Sequence, residues 1–147
     1  MADSATAYAA LKARAVDNLG SLPLYWQDEV NTLPDTPAAF AYFELITSQA
    51  EIAGFGGGRG ANLYRNPSEW LAFVFVPHGQ GLAVALAQAE TIAALYRSYR
   101  TGDVSCFAAS VQPMGEGADL IPPGLRSAVG NYACALVVVD LYFDQTG

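Results

Sequence analysis

The stretch "YACALVVVDLYF", Tyr132 to Phe143, limits the possible folds of this chain more than any other. Read with the two-residue period of an extended strand, one face carries Ala133, Ala135, Val137, Val139, Leu141 and Phe143. The other carries Tyr132, Cys134, Leu136, Val138, Asp140 and Tyr142, with Asp140 its one charge. A strand that is apolar on both faces has to be covered on both. It therefore belongs inside a sheet, and each side of that sheet needs a shield.

The rest of the chain supplies the shield on one side. From Gly81 to Arg100 the pattern is helical, with Leu82, Leu86, Ala89, Ala93 and Tyr96 on one stripe, widened by Ala85, Ile92 and Tyr99. Its alanines suit a helix lying close on a sheet. A shorter helix occupies residues 1–20, with Ser4 read as its N-cap and Tyr8, Leu11, Ala15 and Leu19 recurring at helical spacing up to Gly20. "AAFAYFELITS", "EWLAFVFV" and "VSCFAASVQ" read as strands, and Asn62–Arg65 as a short one. Asn66-Pro67-Ser68 reads as a turn, and residues 54–62 and 113–131 as two long loops. The order α-β-β-β-α-β-β shows no regular βαβα alternation and no repeat. The expectation is one α+β domain, a mostly antiparallel, mixed sheet with two helices mainly on one face. On this reading the second face requires another subunit.

Composition points the same way. Of 147 residues 52% are hydrophobic and 14% charged, against roughly 25% charged in ordinary soluble domains. No apolar run approaches the roughly 20 residues of a membrane helix, and the N-terminal stretch lacks a secretory apolar segment. An apolar, charge-poor chain of this kind hides surface against other subunits. The formal charge is −7 and the seven Lys and Arg are scattered, so no basic stripe is offered to nucleic acid. Cys106 and Cys134 are expected as buried free thiols, although neighbouring strands would allow a disulfide. One histidine among few possible ligands gives no metal set.

The search for chemistry centres on "GFGGGRGAN", with five glycines in the seven residues from Gly54 to Gly60. Gly56-x-Gly58-x-x-Ala61 fits a permissive dinucleotide fingerprint, but that fingerprint works only where a helix begins at once to hold the pyrophosphate. Here "NLYRNPSEW" follows, so no nucleotide site is expected. "VPHGQG" lacks the Gly-Lys-Ser/Thr of a phosphate loop. His78 could act as a general base at a strand-to-helix turn, or simply help to cap the helix. Ser105 and Ser110 stand outside any nucleophile elbow. Glu44, Asp140 and Asp144 read either as a carboxylate pair or as solvated strand ends. The expectation is no catalytic, cofactor or metal residue. A small-molecule-binding domain or enzyme with a pocket near His78 is the alternative from another class. Tyr25 and Trp26, in a Pro-rich segment, read equally as interface anchors or as core.

In order and spacing the chain resembles the tail terminator (tail-completion, minor tail) proteins of long-tailed phages and phage-like gene transfer particles. The resemblance rests on "LPLYWQDE" after an N-terminal helix, a first strand leading into "GFGGGRG", then "FVFVPHGQGLAVALAQAETIAALYRSYR", "GDVSCFAASVQPMGEG" and "NYACALVVVDLYFDQ". It runs roughly from Leu24 to Asp144. It implies a structural virion protein without a cofactor, assembled in the bacterial cytoplasm. Copies would form a ring, commonly a hexamer, that caps the tail tube, ends its growth and joins a head-completion (neck) protein at the head-proximal end. A neck or other minor tail protein is the alternative within that class. DNA would cross the lumen as cargo, kept from sticking by an acidic surface. Tyr25, Trp26, Phe55, Gly56, Gly57, Gly58, Arg59 and Gly60 would form the tube or subunit interface. Arg59 would pair with a partner's carboxylate and Phe55 would act as an apolar anchor.

Overall fold

A computed structural model describes residues 3–29, 38–54, 56–114 and 132–147. In chain order the elements are α1 (Ser4–Asn18), β1 (Leu24–Trp26), β2 (Phe40–Thr47), β3 (Glu51–Gly54), β4 (Leu63–Pro77), α2 (Leu82–Tyr96), β5 (Arg100–Thr101), β6 (Val104–Met114) and β7 (Tyr132–Thr146). The strands form one curled, mixed sheet in the order β1-β2-β4-β7-β6-β5, with β3 pairing β4 beyond the end of β2. Only β1 runs parallel to its neighbour. The fold is the expected α+β domain.

The two-residue period of the last strand sorts as read. Ala135, Val137, Val139, Leu141 and Phe143 face the helices, together with Trp70, Ala72, Val74 and Val76 of β4 and Ala41 and Phe43 of β2. Helix α2 lies on β7, β6 and β4 through Ala85, Ala89, Ile92, Ala93 and Tyr96. Three of these five are alanines one turn apart, which lets the helix backbone approach the sheet closely. Leu82, expected on that stripe, is instead 42% exposed, because the helix has only just left Gly81 and the sheet. Helix α1 rests on α2 through Ala7, Leu11 and Ala15, and the Tyr96 hydroxyl donates to the Leu11 carbonyl at 2.7 Å. Its N-cap is Asp3 rather than Ser4: the Asp3 carboxylate accepts from the Thr6 N–H at 2.8 Å.

Three expectations need correction. Asn66-Pro67-Ser68 does not turn; β4 runs straight through it and pairs with β7 along all 15 of its residues. The reason lies in the neighbouring strands. The Pro67 carbonyl accepts from Ser48, one residue past the end of β2, so the missing N–H faces the end of the β2–β4 ladder and leaves the pairing with β7 untouched. Second, Pro113 and Met114 are not loop but the end of β6, an outer strand on which a proline is tolerated; residues 115–131 lie outside the described residues. Third, part of the second face closes without another subunit. Phe40, Phe73, Phe75, Tyr42, Met114, Tyr132, Cys134 and Leu136 form a buried cluster there within the single chain. The Phe40 and Phe75 rings stack at 4.8 Å.

Candidate functional site

Cross-strand rows on the second face show how its character changes along the strands. The first row is Phe40, Phe75, Cys134 and Met114, and the next Tyr42, Phe73 and Leu136 with Gln112 at the edge. Apart from Gln112 these are buried. The third row, Glu44, Leu71 and Val138, is half-buried. In the fourth, Ile46, Glu69 and Asp140 are all exposed. Beyond it Tyr142 stands opposite Pro67 and packs against Phe107, which is 43% exposed, with ring centroids 5.0 Å apart. The face is therefore sealed at one end and open at the other.

Glu69 and Asp140 are direct cross-strand neighbours. Because Pro67 turns its carbonyl away from β7, Glu69, two residues on, also forms a pair without mutual ladder bonds. Such pairs bring the Cα atoms to about 4.5 Å, where like charges destabilise the sheet. Neither carboxylate has an ion-pair partner among the described residues. Asp144, further along, is matched: Arg65 donates to both its carboxylate oxygens, at 2.9 and 3.0 Å, and lies over the Tyr142 ring at 3.8 Å. That hydrogen-bonded carboxylate pushes the Arg65 pKa upward. Glu44 instead accepts from the Tyr42 hydroxyl at 3.1 Å. Glu44, Asp140 and Asp144 thus occupy separate rows and do not converge as a carboxylate pair.

At the open end the sheet continues as an arm. β3 pairs with the start of β4, and β7 flanks β4 on the other side as far as Leu63 opposite Thr146. Asn62 and Gly147 exchange backbone hydrogen bonds at 3.2 and 3.0 Å and close that end. The glycine-rich stretch is the connection of the β3–β4 hairpin. Gly56, Gly57, Gly58, Arg59 and Gly60 are all exposed at its tip, and Ile52 of β3 is 47% exposed. The glycines suit the tip for two reasons. Gly58 sits at φ +74°, and a Cβ at Gly57 would lie 2.5 Å from the Ala61 carbonyl oxygen. No helix follows, so the pyrophosphate-holding geometry is not built here. Phe55 lies outside the described residues.

The remaining sequence-predicted residues fall elsewhere. Trp26 is 7% exposed and stacks on Phe43 at 5.1 Å, with the Lys12 ammonium 4.9 Å from its ring, so it belongs to the core rather than to a free surface. Tyr25 is half-buried, its ring edge against Phe40. His78 is exposed in the turn between β4 and α2. Cys106 and Cys134 lie on opposite faces of the sheet, both free and buried, and burial pushes their thiols up to about 11 and about 12. At neutral pH neither is a thiolate nucleophile. Among the described residues no three His, Cys, Asp or Glu stand close enough to hold a metal ion, and no helix is long and apolar enough to cross a membrane.

No signal in the sequence marks the Glu69–Asp140 juxtaposition. Residues 71 positions apart become neighbours only through the β4–β7 register. No protein-family model matches the chain, and no curated protein matches it. Six solved chains match, and one of them is similar with a TM-score of 0.50 at 21% identity, over 95% of this chain and 94% of that one. At this identity the likeness is one of fold, and it extends over nearly the whole length of both chains.

Proposed function

We propose that this chain is a structural subunit of a phage-type particle, a tail terminator whose copies close a ring on the end of the tail tube, stop its growth and present a surface to the head. The observation that carries the reading is the pairing of an exposed glycine-tipped arm with an unsealed sheet end on a charge-poor, apolar chain. The arm's outer strand β3, exposed from Glu51 to Ala53, has little of its own chain to pack against, and a ring supplies a neighbour for every copy. The motif order described above adds support, and so does the net charge of −7, which suits a lumen that DNA must cross without binding. The partners on this reading are other copies of the chain, the tube protein and a head-completion protein.

Electron microscopy of particles carrying a labelled copy tests the reading. The label is expected as a single ring at the head-proximal end of the tail, and particles made without the chain should carry tails of uncontrolled length that fail to join heads. One copy per particle, or normal joined tails without the chain, would contradict it.

A further inference from the structure

The open sheet end and the glycine tip of the arm are opposite in charge, and both the open end and the arm expose apolar side chains; the arm's exposed carboxylate, Glu51, lies away from the tip, opposite Arg65. The open end offers two unpaired carboxylates, Glu69 and Asp140, flanked by exposed Ile46 and, across the sheet, by Phe107. The arm offers an exposed cation, Arg59, which has no ion-pair partner among the described residues, and an exposed apolar side chain, Ile52. Within one chain the two do not pair. Leu63, where the hairpin connection ends, is six strand residues from Glu69, about 20 Å away along β4. Asn62, past Leu63, pairs with Gly147 at the far end of the sheet, and Arg59 precedes it in the tip and meets neither carboxylate.

We infer that the arm of one copy docks on the open sheet end of a second copy, with Arg59 set against the Glu69–Asp140 pair and Ile52 against the apolar flank of Ile46. The inference shares one premise with the ring reading, that the partner is a second copy of this chain. An arginine placed between two carboxylates held side by side forms charge-assisted hydrogen bonds to both and cancels their mutual repulsion. Arg65 cannot serve instead, because Asp144 already engages it through two bonds. The two surfaces are different patches of the molecule, so the contact is heterologous. Repeated from copy to copy, it closes into a ring when the rotation allows. The glycines at the tip let the backbone come close to the neighbouring sheet, where side chains would hold it off.

Disulfide trapping in the full chain tests the contact. Both native cysteines are buried, so cysteines introduced at exposed positions react selectively. A chain carrying Arg59→Cys and Asp140→Cys should, on mild oxidation, give a ladder of covalent species beyond the dimer, whereas either single variant stops at the dimer. In sedimentation, Arg59→Glu should weaken self-association about tenfold or more, and adding Glu69→Arg and Asp140→Arg to it should restore association. A wild-type chain that associates while the double-cysteine chain gives no ladder and Arg59→Glu has no effect overturns this contact and leaves the ring reading standing. A chain that stays monomeric up to millimolar concentration and forms no ladder also overturns the contact, and the ring reading is then decided by the labelled particles.

Discussion

The second face of the sheet is made by β2, β4 and β7, with β6 alongside, along its whole length, yet its two ends differ. At one end Phe40, Phe75, Cys134 and Met114 are sealed within the chain, and the aromatic rings stack and cross at 4.8 to 6.2 Å. At the other, 20 Å or so along the strands, Ile46, Glu69, Asp140 and Phe107 face outward and two carboxylates stand side by side. Folding alone favours the first arrangement and disfavours the second. The stability of one chain explains the sealed end but gives no account of the open end, which the proposed contact between copies would supply.

The largest effect should come from the sealed end. Phe75→Ala empties a fully buried ring site stacked on Phe40 and should cost about 3–5 kcal/mol, read by denaturant unfolding. Phe107→Ala removes a ring of similar size at the open end and should cost less than about 1 kcal/mol. Equal costs would erase the distinction between the two ends. An intermediate effect belongs to the helix layer on the other face. Tyr96→Phe strips the bond to the Leu11 carbonyl that ties α2 to α1, while that carbonyl keeps its helical bond within α1, and should cost about 0.5–1.5 kcal/mol. The smallest effect has the opposite sign: Glu69→Gln should stabilise the free chain by a few tenths of a kcal/mol, to about 1 at most, by ending the like-charge pair. The same substitution should weaken association of copies. A variant that destabilises the free chain and associates normally would place the carboxylate in folding rather than in assembly.

Much of this architecture is legible in the residues themselves. The alternation in Tyr132–Phe143 assigns each β7 side chain to its face, and the alanine spacing after Gly81 gives the helix that covers one of them. What escapes reading depends on distant neighbours. Pro67 looks like a turn because a proline normally interrupts a ladder; it does not here because its N–H side faces the end of the β2–β4 ladder. Trp26 looks free in a Pro-rich segment, but β1 joins β2 in parallel and lays it on Phe43. The sealing of the Phe40–Phe75 end likewise rests on rings that meet across strands, Phe40 with Phe75 and with Tyr132, and is invisible in the period of any one strand. The Glu69–Asp140 pair depends on register alone.

Amide hydrogen exchange, measured on the free chain and on its assembled form, tests the account most directly. Residues 70–76, deep in the sheet, should exchange equally slowly in both states. The arm, residues 51–54 and 56–65, should exchange faster in the free chain and gain protection of tenfold or more on assembly, roughly the slowing that 1.4 kcal/mol of local stabilisation gives. Arm protection that does not change between the two states would contradict the claim that the arm and the open sheet end are where copies meet.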